Sequence, residues 1–191
     1  MDFRMTRVYM VRHGRAAAGW NEDPDPALDE LGRQQSLRVA SALSARGPLP
    51  VWSSPLLRCQ QTAFPLATSW KQDVRIEPFV GEIPSPEGYA LEDRVTWLRE
   101  AMSGTWADVV RTSGEHYAVY RQAISDCVAS IDVDTVIFSH FIAINAVIGA
   151  ATNDDKVVIA HLDNCSVTTF DVTDGELTLI ELGGEADTLI R

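Results

Sequence analysis

The sequence predicts an α/β fold: a three-layer sandwich with a mostly parallel, mixed sheet, helices on both faces and a C-terminal hairpin. Three observations lead there. Short β-branched apolar runs alternate with stretches of helical periodicity, the pattern of parallel strands joined by helices. Thr135-Val136-Ile137-Phe138 is a compact apolar run of the kind that fills a buried strand. Near the end of the chain, two extended segments flank Thr173-Asp174-Gly175, whose Asp-Gly pair suits a tight hairpin.

Taken in order, Val8 to Val11 reads as a buried first strand that ends in a turn at Arg12-His13-Gly14. Residues 14 to 28 lack periodicity, and Asp29 then caps a helix that carries Leu31, Val39, Ala42 and Leu43 on one side until Gly47-Pro48 stops it. Val51-Trp52-Ser53 is a short second strand. Ser54 offers a capping hydroxyl ahead of Pro55, so a helix is expected from Leu56 to about Phe64, kinked or ended by Pro65. After a third strand at Val74-Arg75-Ile76, the prolines and glycines of Glu77 to Gly88 predict an irregular, functional loop. Leu91, Val95, Leu98 and Met102 recur at helical spacing, as do Tyr117, Tyr120 or Arg121, Ile124, Val128 and Ile131. The buried strand at 135–138 leads through Ser139-His140 into an almost wholly apolar helix, Phe141 to Ile148, and Val167 to Val172 pairs with Glu176 to Leu182 in the hairpin.

A chain of 191 residues, 46% apolar and 23% charged, without repeats or a composition break, is expected to form a single domain over 1–191. No run reaches the ~18 apolar residues of a membrane span, and Arg12 interrupts the first apolar run too soon for a secretory segment. No membrane partner and a cytoplasmic location are therefore expected. Cys59, Cys127 and Cys165 are odd in number and widely spaced, which suggests neither disulfides nor zinc. A net charge of −11 with no basic run argues against nucleic acid. A small anionic substrate requires the few arginines to be gathered locally.

Sheets of this class bind ligands at the carboxyl ends of their strands. Three such ends deliver residues suited to phosphate: Arg12-His13 after the first strand, Arg58 in the helix after the second, and His140 after the strand at 135–138. A phosphoryl group in transfer spreads charge over three equatorial oxygens, so it needs fixed donors around that plane and a nucleophile in line. Arginines supply charge-assisted donors, and the helix N-terminus near Ser54 is expected to add backbone N–H groups. Imidazole supplies a nucleophile that neighbouring guanidinium groups keep neutral, and a carboxylic acid must protonate the leaving oxygen.

These residues lie in motifs that resemble a known family. Arg12-His13-Gly14 is similar to the R-H-G signature of the histidine phosphatase superfamily, which includes the cofactor-dependent phosphoglycerate mutases. Ser53-Ser54-Pro55-Leu56-Leu57-Arg58-Cys59-Gln60-Gln61-Thr62-Ala63 resembles its S-S-P-L-x-R-x-x-Q-T-A segment, and Leu28-Asp29-Glu30-Leu31-Gly32-Arg33-Gln34-Gln35 its L-T-x-x-G-x-x-Q stretch. Ser139-His140 resembles the second histidine motif. The resemblance covers about the first 150 residues. It implies that His13 becomes phosphorylated, that Arg12, Arg58 and His140 hold the phosphoryl oxygens, and that neither a metal nor another cofactor is required. It also implies that Glu82, within Gly81-Glu82-Ile83, is the proton donor, with Glu87, Glu92 and Asp93 close by in sequence.

Several positions depart from the family pattern. Arg15 replaces a common Glu, Phe141-Ile142 follow His140 where glycines are common, and Asn145 stands where an arginine often sits. Trp20-Asn21 faintly resembles a mutase element. His116 and His161, remote from the strand ends, read as structural, as do Trp97 and Trp106. Cys59 reads as a packed helical thiol. The helix at 91–102 shows an apolar strip that suits either lid packing or a subunit contact. The favoured function is a phosphomonoester hydrolase acting on a small phosphorylated metabolite or a phosphoprotein. The alternatives are a phosphoglycerate mutase-type isomerase and a non-catalytic phospho-ligand module, the latter if Phe141 blocks the pocket.

Overall fold

The computed structural model describes residues 5–19 and 22–184. Six strands form one sheet: β1 Thr6–Arg12, β2 Val51–Ser53, β3 Val74–Ile76, β4 Thr135–Ser139, β5 Val167–Thr173 and β6 Glu176–Glu181. Their spatial order is β3-β2-β4-β1-β5-β6. The first four are mutually parallel, and β5 runs antiparallel to both β1 and β6. The mixed sheet and the terminal hairpin are therefore as expected, with Asp174 and Gly175 both at positive φ in the connecting turn.

Alternation along the central strands sends side chains into two cores. Val8 and Met10 of β1 join Ile137 of β4 on one face, while Tyr9 and Val11 join Val136 and Phe138 on the other. Helices α1 (Glu30–Leu43) and α2 (Leu57–Trp70) cover the second face. The first is covered by α3 (Leu91–Ser103), α4 (Trp106–Ser113), α5 (His116–Ala129) and α6 (Phe141–Thr152). No helix among the described residues is long and apolar enough to cross a membrane.

The helices differ from expectation in informative ways. Asp29 caps α1 as read, its side chain accepting from Gly32 N, but the buried stripe runs through Gly32, Ser36, Val39, Ala40 and Leu43 and leaves Ala42 exposed. Helix α2 starts at Leu57 rather than Leu56 and passes through Pro65 to Trp70. A proline inside a helix costs ~3 kcal/mol. Burying Leu66 alone returns about 1.5–3 kcal/mol, and Ala63 and Ala67 are buried with it, so tertiary packing carries the helix across the break. Helix α4 was not anticipated, although Thr105 and Asp108 form a reciprocal capping box at its start. On α3, Leu98 of the expected strip is buried in the core with Trp97 and Ala101, and the half-buried Met102 packs against the same core.

Candidate active site

The carboxyl ends of β1, β2 and β4 meet at one edge of the sheet. His13, just past β1, donates its backbone N–H to Ser139 O at 3.0 Å, and Ser54, just past β2, donates to Phe138 O at 3.0 Å. The turn after His13 is held from two further sides: Asn164 Nδ2 donates to His13 O at 2.9 Å, and Gly14 N donates to Thr62 Oγ1 at 3.0 Å. Glycine is required here for closeness. A Cβ on Gly14 would sit 2.7 Å from Gly32 O, and one on Gly32 would sit 2.1 Å from Arg15 O.

Hydrogen bonds to groups of known polarity define both imidazole tautomers. His13 Nδ1 lies 2.8 Å from Gly14 O, so it carries the proton and leaves the Nε2 lone pair free. That lone pair accepts from Arg58 Nε at 3.3 Å. Arg58 Nη2 lies 3.2 Å from His140 Nδ1, which must accept, and His140 Nε2 then donates to Ser54 Oγ at 2.7 Å. One guanidinium thus bridges two imidazoles whose ring centroids are 5.3 Å apart. Burial pushes both histidines well below their ordinary pKa, and the charges of Arg58 and Arg12 push the same way. His13 is therefore neutral at neutral pH, with its Nε2 lone pair facing Arg58.

Glu82 completes the cluster. Its Oε2 lies 3.5 Å from His140 Nδ1 and 3.8 Å from Arg58 Nη2, and its Oε1 accepts from Ile83 N at 3.0 Å. Burial raises its pKa against the opposing pull of Arg58, the Ile83 N–H, Arg12 and Arg94. The loop that carries it is pinned by Ser139 Oγ to Val80 O, Tyr120 Oη to Gly81 O and Tyr117 Oη to Pro84 O. Glu87 and Asp93 are exposed, and the Glu92 side chain lies outside the described residues. A cavity of about 180 Å³ is lined by Leu56, Arg58, Glu82, Ile83, Pro84 and Arg94 and, from the segment before α1, by Asp23, Pro24 and Pro26.

Arg12 closes the cluster from the β1 side. Its Nη1 donates to Leu162 O at 2.6 Å, its buried Nε has no protein partner, and its guanidinium carbon lies 5.1 Å over the Phe141 ring. Donor atoms of His13, Glu82 and His140 lie within 4.8 Å of one another, a spacing compatible with a metal ion. However, the Arg58 guanidinium already engages the two imidazole nitrogens such an ion would need, so the set fits an anion better than a cation.

A sequence profile of the histidine phosphatase superfamily (branch 1) matches residues 8–184. The chain belongs to the histidine phosphatase superfamily. A probable phosphoglycerate mutase GpmB of Cronobacter sakazakii is 32% identical over 113 residues, 53% of this chain and 52% of that protein. A glucosyl-3-phosphoglycerate phosphatase of Mycolicibacterium vanbaalenii is 36% identical over 78 residues, 39% of this chain and 35% of that protein. Matched segments span 14% to 58% of the curated relatives' own lengths. Among solved structures, a mycobacterial glucosyl-3-phosphoglycerate phosphatase in complex with inorganic phosphate superposes with a TM-score of 0.70 at 23% identity, covering 94% of this chain and 98% of that one. This similarity concerns the fold.

Against the superfamily pattern, the expected residues His13, Glu82, His140, Arg12 and Arg58 do come together, but four local expectations change. Two N–H groups at the start of α2 already have protein partners: Leu56 N donates to Ser54 Oγ and Leu57 N to Asp25 Oδ1. Ser54 is no helix cap, since Leu56 occupies that position, and its hydroxyl instead orients His140. Phe141 stacks against Arg12 and does not line the cavity. Asn145 bonds Phe141 O, Ala160 O, Ile159 N and Ala160 N, a structural tie with no side-chain valence to spare.

Other positions fall where the sequence pointed or carry roles it did not reveal. Arg15 pairs with Asp29, His116 stacks on Tyr117 and His161 is exposed. Cys59 packs behind His140 with Sγ 3.4 Å from Nε2, fully buried. Trp20-Asn21 lie outside the described residues. The supporting roles of Thr62, Asn164, Tyr117 and Tyr120 were not read. Thr62 lies inside the quoted Q-T-A motif and was legible there, whereas Asn164 carries no local signal.

Proposed function

We propose that this chain, acting as a single domain over residues 1–191, is a phosphomonoester hydrolase that works through a phosphohistidine on His13. The observation that carries this reading is the Arg58 guanidinium spanning His13 Nε2 and His140 Nδ1, with the Glu82 carboxyl 3.8 Å away. A phosphoryl dianion entering among Arg12, Arg58 and His140 draws the guanidinium hydrogen bonds onto its oxygens and releases the His13 lone pair. It also favours protonation of His140, which then donates at Nδ1.

His13 Nε2 attacks phosphorus as the bond to the ester oxygen breaks, and Glu82 passes its proton to that oxygen. Glu82, now a carboxylate, takes a proton from water. The water oxygen bonds to phosphorus, the P–N bond breaks, and its electron pair returns to Nε2. The products are an alcohol and inorganic phosphate, and no metal takes part. The cavity of about 180 Å³ suits a small phosphorylated metabolite better than a protein side chain presented on a folded surface. The packing of Phe141 on Arg12 weighs against a non-catalytic binding module.

The test is to incubate the protein with labelled phosphoesters and quench. The expected result is an acid-labile, base-stable phosphoenzyme that His13→Ala abolishes, with free phosphate as product and activity retained after chelation. Transfer of phosphate between two positions of one sugar acid would instead identify a mutase. Labelling that persists in His13→Ala would overturn the reading.

A further inference from the structure

We infer that Asp25 is a specificity-determining residue, one that selects against phosphoesters carrying a second anionic group next to the scissile phosphate. The inference rests on the hydrolase reading for which phosphate is scissile. Asp25 Oδ1 accepts from Leu57 N at 2.7 Å and lies 4.0 Å from Arg58 Nη1. Its own N–H bonds to Asp23 Oδ1 at 2.9 Å, which folds the segment into a short turn whose neighbours Asp23, Pro24 and Pro26 line the cavity. The carboxylate is thus held in place by two local contacts.

A first-turn helix N–H beside a guanidinium attracts anions. In this protein the position is filled by a side chain of the protein itself. Arg58 is divided accordingly: Nε and Nη2 face the imidazoles and Glu82, and Nη1 faces Asp25. When a phosphoryl group enters, Nε and Nη2 turn to its oxygens while Nη1 remains with Asp25. An ester with a neutral leaving group meets no penalty there. A diphosphate or a bisphosphorylated substrate brings its second negative charge toward the Asp25 carboxylate, 4.0 Å from Arg58 Nη1. Arg94, which also lines the cavity, is common to the parent and to Asp25 variants and produces no difference between them. The net charge of −11 also disfavours the more highly charged ligand, but distant exposed charges are screened beyond about 8–10 Å, and the Asp25 substitution alters that total by a single unit.

Asp25→Asn and Asp25→Ser both keep an oxygen that accepts from Leu57 N while removing the charge, and the pair guards against a folding defect in either one. Binding of methylphosphonate and of methylenediphosphonate, which differ by one anionic group and resist hydrolysis, is measured by calorimetry on the full chain. Turnover of phenyl phosphate is followed in parallel. Affinity for methylenediphosphonate is expected to rise about tenfold in both variants, as for one like charge removed at close range in partly screened surroundings. Affinity for methylphosphonate should change less than about threefold. Equal gains for both ligands, no gain, or a fall in kcat with unchanged affinities would overturn the inference. Because binding needs no turnover, charge selection can be seen even if His13 is never phosphorylated, so the two readings fail separately.

Discussion

His13 and Glu82 are displaced from their ordinary titration in opposite senses by the same cause, burial, which disfavours whichever form is charged. Burial therefore favours an unprotonated His13 together with a protonated Glu82. Activity should fall on the acid side as His13 gains its proton and on the alkaline side as Glu82 loses its own. Glu82→Gln is expected to slow alkyl phosphate hydrolysis by about a hundredfold or more and aryl phosphate hydrolysis by less than about tenfold, since aryl leaving groups need little protonation. Steady-state rates on the two ester classes check this; equal losses would assign the proton to another group. The same variant has a stability signature. The folded-state pKa of Glu82 lies above the unfolded value of about 4.3, so the native state holds the extra proton, and that stability is lost as pH rises through the raised folded value. The unfolding free energy of Glu82→Gln relative to the parent, from urea titration, should therefore climb with pH from about 4.3 up to the raised folded value, by at most ~1.4 kcal/mol per pH unit.

At the scale of elements, α1 and α2 show how packing decides what propensity leaves open. The contact between the start of α1 and the loop after β1 is backbone against backbone, with no flexible side chain to give way. Gly32→Ala should therefore cost ~1–3 kcal/mol of stability, read as a lowered denaturation midpoint, and should reduce phosphoenzyme yield because Arg15 follows the nucleophile by two residues. Most elements were legible because their signals are local. Asp29 caps, Asp174-Gly175 turns, and Val8 to Val11 alternates between two cores. The passage of α2 through Pro65 was not legible, because its compensation comes from the sheet beneath Leu66 and Ala67.

At the scale of the whole molecule, the segment from Leu162 to Ser166, some 150 residues beyond His13, cradles the Arg12-His13 backbone. Leu162 O and Ser166 O accept from Arg12, Cys165 N donates to Arg12 O, and Asn164 holds His13 O. Asn164→Ala is expected to lower kcat about tenfold while shifting the unfolding free energy by only ~1 kcal/mol. Parallel kinetics and denaturation would check that split, and a loss confined to KM would count against it. Read alone, the residues determined the fold class and the three strand ends that supply the cluster, and together with the family resemblance they pointed to His13, Arg12, Arg58, Glu82 and His140 as candidates, because motif spacing and periodicity are written along the chain. Tertiary structure alone decided that Asp25 accepts from Leu57 N at the start of α2, that Ser54 serves His140, and which nitrogen of each imidazole carries its proton. Those outcomes depend on hydrogen bonds between segments brought together only when the sheet forms, and no local pattern encodes a partner that distant.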